Sequence, residues 1–140
     1  MISVKDSNIY KDVIKELNYN FADVFVFENF VISEIKEGIV FNWEDHAKLI
    51  IKDVIAVLDT DGSDLTYVSN RIHSYSVMPQ DWVKFFKNEY SLKGYCVISD
   101  KKTSMLSFMV ESLFFNNRMK RFTNIYEAVN YLQKGVNEVA

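Results

Sequence analysis

The sequence predicts an α/β fold, a single domain whose mixed sheet of about five strands, its central ones parallel, carries about four helices. Three observations lead there. Residues 22–35, ADVFVFENFVISEI, are rich in β-branched and aromatic side chains, the composition of strands. From Trp43 onward, stretches with a 3.6-residue apolar period alternate with short apolar runs, which is the order of βα units. No repeat or Pro/Gly-rich linker divides the chain, with only 4 Gly and 1 Pro in 140 residues, so one domain accounts for it. That length buries roughly two-thirds of the unfolded surface.

In order, residues 1–9 read as a loose or lightly docked arm. Val13 to Leu17 alternate apolar and charged side chains, which fits a short edge strand, with a helical turn as the competitor. Asn18-Tyr19-Asn20 is a turn signal. Beyond it, Val24, Val26 and Glu28 share one face and Phe25 and Phe27 the other. Asn29 then splits the run into two strands or one bulged strand. Glu37-Gly38 is a turn. Asn42 has the chemistry of an N-cap ahead of Glu44 and Asp45, and Trp43, Ala47, Ile50, Ile51, Val54, Ile55 and Leu58 keep helical spacing through 43–58. A strand follows at 65–69.

Pro79 opens a helix through Tyr90, with Trp82, Phe85, Phe86 and Tyr90 facing inward. The run 95–98 is near-continuously apolar, as in strands covered on both faces. A helix through about Phe115, a short strand at 119–122 and a last helix complete the chain. Thr123 is the expected cap of that helix, with Glu127 near the capping-box position, and Gly135 its expected end.

Composition narrows the function classes. The longest purely apolar runs are a few residues, so no membrane span is predicted. The opening residues lack an apolar core of signal-peptide length, which predicts a cytoplasmic chain. A single cysteine, Cys96, excludes an intramolecular disulfide and a Cys-rich zinc site, and its apolar neighbours make it a core residue. Charge is uneven: residues 1–70 hold 6 Lys against 13 acids, whereas 84–121 hold 8 Lys and Arg against 3 acids. That asymmetry favours an acidic partner or contacts between copies, while the overall acidity argues against nucleic acid.

The order of elements over roughly 22–134 resembles the STAS domain, the SpoIIAA-like (anti-sigma-factor-antagonist-like) superfamily. The resemblance rests on EGIVFNWEDHAKLI as a glycine-containing start to a helix, LTYVSNRI as the central strand, GYCVIS as its parallel neighbour, and the RFTNIYEAVNYL ending. It implies a bacterial regulatory protein that binds other proteins. It also implies a phosphorylatable serine where the helix after the central strand begins. Ser76 and Ser74 fall there, without the family's Asp-Ser-Ser-Gly pattern.

The candidate site is the polar loop after the 65–69 strand: Asn70, Arg71, His73, Ser74, Tyr75 and Ser76, ahead of a helix N-terminus. A guanidinium, an imidazole and hydroxyls there can hold a phosphate or carboxylate. The plainer reading is a turn whose side chains satisfy local backbone, with Arg71 solvated or paired to an acid. His73 has no triad partner at a recognisable spacing, and no nucleophile elbow exists. His46 can face solvent on its helix. With two histidines and no cysteine cluster, no metal or other cofactor is expected. The Asp59–Asp64 run has its glycine fourth rather than sixth, and Asn70 where a calcium loop needs Glu, so a plain turn explains it.

The stretch 104–115 is apolar nearly all round, Ser107, Glu111 and Ser112 excepted. Met105, Phe108, Met109 and Phe115 either tuck under a neighbour or form a surface for a second subunit, as in a homodimer, or for a lipophilic ligand. Lys101, Lys102, Arg118, Lys120 and Arg121 form basic clusters at its two ends. The leading expectation is a non-catalytic regulatory or protein-interaction module, uncharacterised in its partner, contacting it through the 70–78 loop and following helix. The alternative is a carrier or sensor of a small lipophilic or anionic ligand, bound between the sheet and 104–115 with Arg71, Lys101 or Lys102 at the mouth.

Overall fold

The alternation in 22–35 becomes a tight hairpin. Strand β1 (Lys15–Asn18) pairs antiparallel with β2 (Ala22–Val26), and β2 with β3 (Phe30–Ile35). Asn29 does separate two strands: the Phe27 N–H donates to the Phe30 carbonyl at 2.8 Å, and the two phenyl rings stack. The computed structural model describes residues 1–78, 81, 92–100 and 119–139, with side chains through 133.

Beyond β3 the chain turns to parallel pairing. Strands β5 (Thr66–Asn70), β7 (Gly94–Ile98) and β8 (Met119–Phe122) add in sequence order. The described residues thus form a six-stranded sheet, β1-β2-β3-β5-β7-β8, antiparallel on one side and parallel from β3 onward. A two-residue parallel ladder, β4 (Val40–Phe41) with β6 (Ser76–Val77), stands beside it. Helix α1 (Lys48–Leu58) connects β4 to β5, and α2 (Ile125–Val139) follows β8. The mixed α/β class matches the sequence, with one strand more than expected in the main sheet. The predicted helices at 79–90 and 104–115, with Met105, Phe108, Met109 and Phe115, lie outside the described residues.

Side-chain alternation distributes the core over two layers. On one face Val24, Val26, Val31, Tyr67, Tyr95 and Val97 pack with Ile50, Ile51 and Val54 of α1. On the other, Phe25, Ile32, Val68, Cys96 and Ile98 pack with Ile125, Ala128 and Val129 of α2. Each fully buried Val or Ile contributes about 1.5–3 kcal/mol relative to an exposed one. Every residue of β3 and β5 is buried, including Ser33, Glu34, Ser69 and Asn70, because helices or loops cover both faces.

Helix ends show where sequence logic held and where it slipped. Asn42 caps as expected, its Oδ1 accepting the Asp45 N–H at 2.9 Å. The expected helix at 43–58 opens as a π-helical turn, Trp43–Ala47, before α1 proper. Asp81 reaches across to that turn, accepting the Trp43 N–H at 2.6 Å where the helix dipole favours a carboxylate. Asp59 closes α1 in the left-handed region at φ 52°, a conformation that aspartate tolerates better than most side chains. For α2 the capping oxygen belongs to Asn124, which accepts the Glu127 N–H, while Thr123 donates to the Glu127 carboxylate. The expected cap is therefore displaced by one residue. Nor does Gly135 end α2, which continues to Val139, since glycine weakens a helix interior but stops it only in a left-handed cap.

The opening residues are not a loose arm. They form 3-10 turns at Val4–Asp6 and Asn8–Asp12, with Val4 wholly buried and Ile9 packed beside Phe25 and Ile32. What holds them is the buried carboxylate of Glu34. It accepts from the Ser3 hydroxyl at 2.6 Å, the Val4 N–H at 2.8 Å and the Asn70 amide at 3.0 Å. The same amide donates to the Ile2 carbonyl at 3.1 Å. Glu34→Ala orphans these donors, and the expected loss is about 2–3 kcal/mol of stability by urea unfolding. The Val4 amide should also lose its hydrogen-exchange protection. A variant with wild-type protection at Val4 would show that Glu34 does not hold the arm.

Candidate functional site

Parallel strands deliver their last residues to one rim, where open α/β sheets place ligands. Here that rim receives Asn70 and Arg71 from β5, Ser99 and Asp100 after β7, and the β8–α2 junction. The predicted polar loop is there, but it starts later than the sequence suggests. Asn70 is still strand, paired level with Ile98, and the Arg71 N–H donates to the Ile98 carbonyl at 3.0 Å. Both side chains are buried, Asn70 at 1% exposure and Arg71 at 8%, so Arg71 is not a solvated turn residue.

The two side chains go to opposite faces. Asn70 joins Glu34 and the N-terminal arm, its Oδ1 buried without a hydrogen-bond partner. Arg71 lies on the α1 face, where its Nε donates to Ser69 Oγ at 3.3 Å and its guanidinium sits 5.6 Å from the centre of the Tyr75 ring. Ser69 Oγ and Tyr75 OH share a 2.5 Å hydrogen bond. Tyr75 is half-buried, whereas His73, Ser74 and Ser76 are exposed. The six candidate residues thus divide into an inner group (Asn70, Arg71, Tyr75) and an outer one.

The outer loop is fixed at its edges. The Gly38 N–H donates to the Ser74 carbonyl at 2.9 Å, the Ser76 N–H to Ile39 at 2.9 Å and the Met78 N–H to Phe41 at 3.1 Å. Gly38 takes φ 79° there, which favours glycine. This stitching places the exposed Val40 level with Ser76 in the β4–β6 ladder.

An aromatic row that sequence reading missed runs to this loop. Tyr19 stacks on Phe21, whose ring centre is 4.6 Å from that of His46. His46 stacks on Phe41 at 5.5 Å, and Phe41 meets Tyr75 edge-on at 6.4 Å. The Tyr19 hydroxyl donates to Asp53 at 2.6 Å, and burial together with that carboxylate raises its pKa. His46 is therefore no free surface residue. Its Nδ1 accepts the Asn42 N–H at 3.0 Å, which requires an unprotonated nitrogen. Spacing could not reveal this, because Phe21, Phe41 and Tyr75 come from separate segments.

Burial lowers the His46 pKa, opposed in part by Asp45. A histidine whose folded pKa lies below its unfolded value contributes stability that is present above the unfolded pKa and lost as pH falls below it. Melting temperature should therefore drop as pH falls below about 6.5. His46→Phe, which keeps the stack and cannot titrate, should flatten that slope; an unchanged slope would assign it to other groups.

Other candidates resolve into structure. Burial pushes the Cys96 thiol up to about 11, against a smaller opposing effect of Lys120. It should react with a thiol reagent only as fast as the protein unfolds, and rapid labelling of the native protein would contradict its burial. In the Asp59–Asp64 turn, Asp61 accepts from the Ser63 N–H and hydroxyl, and Asp64 accepts from Thr60 Oγ1. Among the described residues, no group of three or more His, Cys, Asp or Glu is arranged to hold a metal ion. None of their helices is long and apolar enough to cross a membrane.

Cavities lie at both ends of the described fold. A small, mostly apolar pocket is lined by Phe41, Trp43, Ile51, Tyr67 and Leu92. A wider groove of about 520 Å³ lies at the far rim, between α2 and the β2–β3 turn. Comparison of the chain with family models, curated proteins and solved structures finds no match. The functional reading accordingly rests on the rim's own geometry.

Proposed function

We propose that this protein is a non-catalytic regulatory module, STAS-like in type, that binds a protein partner through the rim formed by the 71–78 loop and the 38–41 segment. The observation that carries the reading is the stitching of that loop. Backbone hydrogen bonds and the β4–β6 ladder hold it in one shape, while His73, Ser74, Ser76 and Val40 stay open to solvent. A surface ordered before binding loses little conformational entropy on association. Beneath it, the Ser69–Tyr75–Arg71 cluster braces the loop from inside. The Ser76 hydroxyl is where a phosphoryl group would break the partner contact by charge and bulk.

The test uses the exposed tip and leaves Arg71 and Tyr75, which have a structural role, in place. A photo-crosslinking residue at position 73 should capture a partner that the same residue at Asp61, on the opposite rim, does not. Ser76→Glu should then weaken that partner's affinity about tenfold, an effect of like-charge repulsion or desolvation at a contact. Equal capture from positions 73 and 61 would remove the loop from the interface.

A further inference from the structure

On the face of the sheet away from the partner surface, one buried polar atom has no partner. Asn70 is 1% exposed, and only half of its side-chain amide is used. Its Nδ2 donates to Glu34 Oε2 at 3.0 Å and to the Ile2 carbonyl at 3.1 Å, two acceptors that identify this branch as the nitrogen. Its Oδ1 is buried and accepts from no group. A carbonyl oxygen removed from water without a donor is costly, and each such atom in a folded protein calls for an explanation.

The register shows what that oxygen faces. Ser33 lies level with Ser69, and Asn70 with Ile98, so Glu34, Asn70 and Ile98 form a row across β3, β5 and β7. The two branches of a planar amide diverge. With Nδ2 turned to Glu34, Oδ1 is left on the side of Ile98. There a cavity of about 240 Å³ lies where α2 begins, lined among the described residues by Met1, Ile2, Asn70, Ile98, Ile125 and Tyr126, with Asn124 at its edge. It occupies the carboxyl ends of β5 and β7, the place where open sheets take ligands. A dry apolar cavity of about 150 Å³ already holds a benzene ring. Water suits this one poorly, because an ordered water takes two to four polar partners. Around the cavity the side chains are apolar except for Asn70, the exposed Tyr126 and Asn124, whose Oδ1 is committed to the α2 cap.

We infer that this cavity binds a small, mainly apolar molecule carrying one hydrogen-bond donor, of phenol or indole type, whose O–H or N–H donates to Asn70 Oδ1 while its ring packs against Ile2, Ile98 and Ile125. Apolar walls with one fixed polar group are the usual make-up of a small-molecule site. An acceptor at its floor disfavours a carboxylate or phosphate, which would bring oxygen against oxygen. Ile2 and Tyr126, both partly exposed, form the outer wall through which the ring enters. The inference stands independently of the partner surface, since it needs none of Arg71, His73, Ser74, Tyr75 or Ser76.

The test titrates the full chain with phenol, with indole and with toluene, which keeps the ring of phenol without its donor, and follows amide signals by NMR. Phenol or indole should give saturable shifts centred on the backbone amides of Ile2, Ile98, Ile125 and Tyr126 and on the Asn70 side-chain amide. Toluene should bind about tenfold more weakly than phenol, the loss of one buried hydrogen bond. Ile2→Trp, which fills the cavity from its outer wall and keeps the backbone carbonyl that Asn70 uses, should abolish the shifts. No saturable shift with either donor, shifts that map elsewhere, or undiminished binding to Ile2→Trp would overturn the site. Toluene binding as tightly as phenol would overturn the role of Asn70 Oδ1. The comparison of phenol with toluene is made on the wild type, so it decides the matter even if Ile2→Trp fails to fold.

Discussion

Strand β5 is covered on both faces, yet its last residues are Ser69 and Asn70, with Arg71 immediately after. Polar groups buried in that way must find partners inside the protein or cost several kcal/mol each. Much of the rim follows from that one constraint. On one face Asn70 recruits Glu34, and the pair binds the N-terminal turns down. On the other, Ser69 and Arg71 recruit Tyr75, which draws the following loop back over the sheet. A single strand end therefore organises segments from residue 2 to residue 75.

The two faces solve the problem differently. Around Glu34 a carboxylate collects donors, and the result is a tight structural knot with one amide oxygen to spare. Around Ser69 the groups are hydroxyls and guanidinium, stacked on a ring and continuous with the aromatic row through Phe41 and His46. One face closes the fold. The other gathers hydroxyls and a guanidinium at the rim.

Much of this architecture was legible in the chain. The alternation around Val24 and Phe25 assigned those residues to opposite layers correctly, and the spacing of Ile50, Ile51 and Val54 found the buried side of α1. Local chemistry named Asn42 as a cap but missed Asn124 by one position, since Thr123 has the same capping chemistry. What could not be read was non-local. Val4 is a lone apolar residue in a polar stretch, and its burial depends on Glu34, thirty positions away. Arg71 looks like a turn residue until β7 is placed beside it. His46 looks exposed until Phe21 and Phe41 arrive from either side.

The β4–β6 ladder has a consequence for the order in which the chain assembles. Its two rungs join residues 40–41 to 76–77, enclosing α1 and β5 within the loop that they close. So short a pairing cannot repay the entropy of closing that loop by itself. It forms only after α1 and β5 have docked on the sheet, and it opens before they leave. A nascent or damaged chain therefore lacks the finished rim even while most of its core is intact. The finished rim is thus a sign that the layers beneath it are already in place.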